Sequence, residues 1–188
     1  MFRRPSLKTV RWRPLEGEGL EHLTIGPADG ASIRASSVLI GERGGRPYGA
    51  RYTIDCDTAW TVMSFSIDTT DGRRLSLASD GNGHWRDMDG TALPAFDGCI
   101  DIDLAGTPFT NTLPIRRLGL KPTDGTAKLI MLYVPFDTFE PFPDCQNYTC
   151  LEDDRFYRYE AKDRSFTADL PVDEDGLVMD YPTLFQRL

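Results

Sequence analysis

Histidine is nearly missing from this chain: His22 and His84 are the only two in 188 residues. Metal sites built from several imidazoles, and the H-E-x-x-H arrangement, are therefore excluded. Long apolar runs are missing too. Nothing approaches eighteen consecutive apolar residues, so no helix is expected to span a membrane. The opening Met1-Phe2-Arg3-Arg4-Pro5-Ser6-Leu7 has no apolar stretch of the kind that exports a protein, which sets a cytoplasmic location as the expectation. Cysteine is limited to Cys56, Cys99, Cys145 and Cys150. Without an export signal these read as reduced thiols, and the spacing of Cys145 and Cys150 is not that of a zinc knuckle. The phosphate loop G-x-x-x-x-G-K-[ST], a G-x-G-x-x-G turn opening a helix, and the G-x-S-x-G nucleophile elbow are all absent. Asp80-Gly81-Asn82-Gly83 begins like a calcium loop, but His84 and Trp85 stand where the loop needs a further oxygen ligand and a glycine. Asp173–Gly176 is similar, with Pro171 in place of the first ligand. No metal and no cofactor is expected, and no catalytic residue is assigned. Basic charge is also in deficit: 29 acidic residues oppose 21 basic ones, a net charge of −8. That field disfavours nucleic acid and anionic membrane surfaces as partners.

What is present is alternation. Tyr48, Ala50, Tyr52, Ile54 and Cys56 share one strand face, while Gly49, Arg51, Thr53 and Asp55 share the other. Met63, Phe65 and Ile67, then Ile100, Ile102 and Leu104, then Phe166, Ala168 and Leu170, repeat the period of two. Thr70-Asp71-Gly72, Asp89-Gly90, Asp124-Gly125 and Asp173–Gly176 supply turns between such runs. This pattern predicts one mainly β domain over residues 1–188, a many-stranded antiparallel curved sheet of barrel-like form around a short helical element. Helical candidates lie within Thr110–Leu120 and at Tyr181–Arg187. Arg3, Arg4, Lys8, Arg11 and Arg13 suit an exposed strand edge. Leu129–Val134 is apolar on both faces, so a cover is expected across the sheet there, with Thr110–Leu120 as the cover.

Chemistry concentrates in Asp97–Leu120. Asp101 and Asp103 lie on one strand face about 7 Å apart. Either they look to solvent, or they meet sugar hydroxyls or an arginine on a concave surface. Two carboxylates also admit a glycosidase reading. Arg116 and Arg117 diverge in any regular backbone, so one is expected to pair internally and the other to serve a ligand or the surface. Gln146, Tyr148, Tyr157 and Tyr159 combine apolar area with hydrogen-bonding tips, and Trp85 offers a stacking platform.

The run TPFTNTLPIRRL (Thr107–Leu118) resembles the hallmark of the putative glycolipid-binding family, a set of bacterial proteins. Further matches are Tyr48-x-x-x-Tyr52-x-Ile54-x-Cys56-Asp57-x-x-Trp60, Asp80-Gly81-x-Gly83-x-Trp85, Gly98-Cys99-x-Asp101-x-Asp103-Leu104, Gln146-x-Tyr148-Thr149 and Asp175-Gly176-Leu177-Val178-x-Asp180-Tyr181-Pro182. The resemblance implies an antiparallel sheet curled around a short helix, similar in shape to bacterial lipoprotein carriers that hold acyl chains. It brings no catalytic residues with it. The expected function is binding of a glycolipid, lipid or sugar-containing amphiphile in the concavity of the sheet. Asp101, Asp103, Thr107, Asn111, Arg116, Arg117 and Gln146 would meet polar groups, and Tyr48, Tyr52, Trp85 and Tyr148 would line the apolar part. A hydrolase acting on a glycosyl or acyl compound, and a structural or partner-binding module, are the alternatives.

Overall fold

The structure, a computed structural model, describes residues 2–29 and 32–188. Strict burial alternation builds its strands. In Ser32–Arg43, Ile33, Ala35, Ser37 and Leu39 are buried, while Arg34, Ser36, Val38 and Ile40 between them are exposed. The described strands in chain order are β1 (Lys8–Pro14), β2 (Leu20–Ala28), β3 (Ser32–Arg43), β4 (Arg46–Cys56), β5 (Val62–Thr69), β6 (Arg74–Ser79) and β7 (Trp85–Asp87). They continue with β8 (Asp101–Leu104), β9 (Thr126–Val134), β10 (Phe142–Glu152), β11 (Phe156–Ala161), β12 (Thr167–Pro171), β13 (Asp180–Tyr181) and β14 (Phe185–Arg187). One α-helix, α1 (Thr112–Leu118), follows a 3-10 turn at Phe109–Asn111.

A nine-stranded sheet runs β13-β14-β1-β2-β3-β4-β5-β6-β7, and a five-stranded sheet runs β12-β11-β10-β9-β8. All pairings are antiparallel except β8 with β9. The sheets adjoin at both ends. A bridge between Val172 and Val178, and a bond from the Met179 amide to the Pro171 carbonyl at 2.8 Å, link the β12 and β13 sides. The Trp85 indole donates to the Cys99 carbonyl at 2.7 Å, linking β7 to the approach to β8. The result is a curled half-barrel.

The short helix is wedged inside it. Leu113 joins the apolar cluster under the large sheet and Ile115 joins the cluster under the small one. Each is fully buried, which stabilises the wedge by about 1.5–3 kcal/mol per side chain. Pro114 sits in the first turn, where an amide hydrogen would have no helical partner. Gly119 ends the helix in the left-handed region at φ 56°. The cover anticipated over β9 is real at its C-terminal half. Leu132 and Val134 face the large-sheet core, Met131 faces the opposite side, and all three are buried. Ile130 remains exposed, so the cover stops there.

Two expectations need correction. Tyr181–Arg187 is not a helix but β13, a reversal with Thr183 at φ 68°, and β14. Its backbone is drawn into the sheet by β1, where Trp12, Arg13 and Pro14 pair with Arg187, Gln186 and Phe185. For the same reason β1 is no edge: β2 and β14 flank it. Its outward Arg11 and Arg13 reach His22 and Gln186 instead, and Lys8 binds Asp173 and Asp175.

Candidate functional site

Among the described residues of the large sheet, Glu21 and Ser37 are the polar side chains in the buried class, on the neighbouring strands β2 and β3. Alternation along β2 sends Glu21, Leu23 and Ile25 inward together, so the carboxyl enters the core by register. Oε1 accepts from the Tyr52 hydroxyl at 2.6 Å and the Ser37 hydroxyl at 2.8 Å. Oε2 is buried and has no partner among the described residues. Burial pushes the Glu21 carboxyl up to about 7, against the opposing pull of the Thr107, Tyr52 and Ser37 hydroxyls. Burial also drives the Tyr52 phenol well above its usual range, helped by the charge and hydrogen bond of Glu21.

A second polar knot lies on the small sheet. Asp103 accepts from the Thr110 hydroxyl at 3.1 Å and from the Gln146 amide at 2.7 Å. The Tyr148 hydroxyl donates to Asn111 Oδ1 at 2.9 Å, and Asn111 Nδ2 donates to the Pro108 carbonyl at 3.2 Å. Desolvation raises the Asp103 carboxyl despite the hydrogen bonds from Gln146 and Thr110. Thr107 stands at the edge of the first knot. Its Oγ1 lies 3.4 Å from the Tyr52 hydroxyl and accepts the Phe109 amide at 3.0 Å.

Between the knots a cleft opens as two recesses that share Arg43, Ala105, Leu184 and Phe185. The inner recess, about 260 Å³, is lined by Asp103, Thr107, Asn111 and the rings of Tyr133, Tyr159, Phe166 and Tyr181. The outer one, about 160 Å³, is lined by Glu21, Tyr48, Gly106 and Trp12. The β3–β4 hairpin delivers Arg43 to their common wall. Gly44 and Gly45 turn it at φ 57° and 74°, a two-residue reversal that needs positive φ. Arg43 donates to the Tyr133 hydroxyl at 2.6 Å. The rings form a continuous wall, Tyr159 to Tyr181 at 6.3 Å and Tyr181 to Phe185 at 6.4 Å between centroids. A cleft of this make-up offers hydrogen-bond acceptors, one guanidinium and flat apolar faces to a small ligand.

The candidates from the sequence divide into three groups. Asp103, Thr107, Asn111 and Tyr48 line the cleft. Gln146, Tyr148 and Tyr52 stand behind it, each holding a lining side chain through a hydrogen bond. Asp101, Arg117, Arg116 and Trp85 line neither recess. Asp101 is sealed by Arg117, whose Nε lies 3.0 Å from Oδ1 and Nη2 2.5 Å from Oδ2. The pair is covered by α1, which settles the solvent-facing option for Asp101 against exposure. Arg116 stacks on Trp60 and Phe2 and donates to the backbone carbonyls of Asp175 and Arg3. Trp85 is buried against Phe65. The calcium-like stretches are internally committed: Asp80 caps its own turn and His84, and Asp173 holds Lys8 and Arg187. Residue type alone does not mark Glu21 or Arg43, while Tyr181 stands in the Asp175–Pro182 motif. Glu21 did carry a signal, a carboxylate in phase with Leu23 and Ile25.

The model of the family described as "Putative glycolipid-binding" matches residues 9–187. A DUF1089 family protein from Pseudomonas aeruginosa, known from its crystal structure, is 45% identical. It superposes with a TM-score of 0.80 over 92% of this chain and 94% of its own. No curated protein matches the chain. At that identity and coverage, and with the family model spanning nearly the whole sequence, the chain belongs to the putative glycolipid-binding family.

Proposed function

We propose that this protein binds the hydroxyl-rich, sugar-like head of an amphiphile in the cleft between the two sheets. One observation carries the reading: a buried carboxyl, Glu21, and a half-buried one, Asp103, line adjoining recesses with Arg43 on their shared wall. Vicinal hydroxyls present donors and acceptors in close pairs, and carboxyl oxygens beside a guanidinium answer both. The Tyr159, Phe166 and Tyr181 rings supply the flat surface against which the apolar face of a sugar ring packs. Glu21 strengthens this reading. With a carboxyl near 7 it is partly protonated around neutrality, so the group can act as donor or as acceptor.

The size of the cleft favours a head group over a whole lipid. Its recesses, about 260 and 160 Å³, fall at or below the low end of ordinary ligand pockets. The test is native mass spectrometry and calorimetric titration with a panel of short alkyl glycosides, on the natural chain and on Asp103→Asn and Tyr181→Ala. Saturable binding that weakens at least tenfold in both variants supports the reading. Binding unaffected by either variant refutes the placement. Release of free sugar during the titration would move the chain into the hydrolase class, with Glu21 as the acid to test next.

A further inference from the structure

We propose that an apolar depression on the outer face of the large sheet holds the alkyl or acyl chain of the ligand whose head occupies the cleft. The proposal rests on the head-binding reading above. Outward positions of β2, β3 and β4 should be polar on a solvated sheet, and most are: His22, Thr24, Arg34, Ser36, Arg51 and Asp55. Leu20, Val38 and Ile40 break the pattern. They are 40%, 58% and 63% exposed, and Leu20 and Ile40 are direct cross-strand partners. Gly49 pairs with Ile40 from β4 and adds no side chain, so the surface sinks there. The Thr70 side chain borders the dip, its Cγ2 3.0 Å from where a Cβ on Gly49 would stand. The depression so formed measures about 760 Å³ and reaches from Leu20 and Val38 to Thr70 and Gly72.

Three facts choose its occupant. First, Leu20, Leu39 and Ile40 line both this depression and the outer recess that holds Glu21, so the two are neighbours at the β2–β3 end of the sheet. Second, the recesses inside are too small for a tail, which must therefore leave the cleft. Third, β2, β3 and β4 are each paired on both sides, so no backbone is free to add a strand from a protein partner. At the rim Asp68 binds both Arg51 at 3.1 Å and Arg74 at 3.0 Å, which leaves one positive charge over beside an apolar floor of Leu20, Val38 and Ile40. The floor then offers apolar contact and little else, which suits a hydrocarbon chain.

The experiment measures affinity against chain length with methyl, butyl, hexyl and octyl β-glucosides below their micelle-forming concentrations. The natural chain should gain about twofold per methylene, the gain for a group half withdrawn from water. Val38→Asp, at an exposed position that lines the depression but neither recess, should flatten that dependence and leave methyl glucoside affinity unchanged. A flat dependence in the natural chain, or an undiminished one in Val38→Asp, overturns the tail site while the head-binding reading stands. No binding at any length overturns both. A dimer in light scattering that Val38→Asp dissociates assigns the face to a second copy and overturns the proposal.

Discussion

Replacing Glu21 by glutamine should abolish a pH dependence of stability that the natural chain carries. An unfolded Glu21 would titrate near 4.5, whereas burial holds the folded carboxyl up near 7. Between those values the native state keeps a proton that the unfolded chain has released, so native protein binds more protons and stability falls as pH rises. The contribution is fully present below pH 4.5 and gone above pH 7. The gap corresponds to about 3 kcal/mol. For a chain of this length that is a relative fall in Tm of roughly 6–12 °C. Glutamine reproduces the neutral acid: its carbonyl oxygen accepts from Tyr52 and Ser37, and its amide stands where Oε2 has no partner. It has no proton to lose. Asp101 and Asp103 are also raised by burial, but they are present in both proteins and cancel in the difference. The assay is thermal unfolding of the two proteins in parallel from pH 4 to 8.5. Glu21→Gln should be the less stable or equal partner at pH 4.5 and the more stable one at pH 8. Curves that stay parallel across the range would refute the buried, proton-holding carboxyl.

Arg117→Met should cost about 3–5 kcal/mol in urea unfolding, because it strands the buried Asp101 carboxylate without its cation. The double change Asp101→Leu with Arg117→Met should recover most of that loss, the signature of a structural pair rather than a ligand contact. Gly106→Ala should destabilise by about 1–3 kcal/mol, since its new Cβ would meet Phe136 Cε2 at 2.7 Å and the Tyr48 hydroxyl at 2.8 Å. The same methyl narrows the outer recess, so any glycoside binding should weaken beyond what reduced folding explains, as a titration well below the melting range would show.

Period and turn chemistry made the β class legible. Most strands bury only one face, so alternation survives in Tyr48–Cys56 and Phe166–Leu170 as the structure has it. Where tertiary context outweighs local pattern, the sequence misleads. Tyr181–Arg187 shows an apolar spacing a helix could use, yet its partner is the distant β1, which no local rule reveals. The site was half legible for a related reason. Asp103, Thr107 and Asn111 stand out as polar residues clustered in an apolar run. Arg116 and Trp85 look equally functional, but aromatic stacking and backbone carbonyls absorb them. Arg43 carries no mark in the sequence, because only the Gly44-Gly45 reversal and the curl of the sheet bring it to the cleft.

The Thr107–Leu118 segment shows why a motif can be distinctive while few of its residues touch a ligand. Its polar members each take a separate partner. Thr107 meets Tyr52 and, through it, Glu21; Thr110 holds Asp103; Asn111 receives Tyr148; Arg117 neutralises Asp101. Its apolar members split between the two cores at Leu113 and Ile115. Of the two carboxyl groups of the cleft, Asp103 is thus held by this short stretch of chain, while Glu21 is held by Tyr52 and Ser37; Thr107 and Asn111 of the stretch face the cleft themselves. A change at Thr110 should therefore loosen Asp103 without removing any group that lines the cleft. The expected result for Thr110→Val is weakened glycoside binding with the cleft lining intact, and a smaller loss of stability than Leu113→Ala, whose cavity should cost about 2–5 kcal/mol. Equal binding by Thr110→Val and the natural chain would show that Gln146 alone suffices to hold Asp103, and would move the positioning role from the helix to the small sheet.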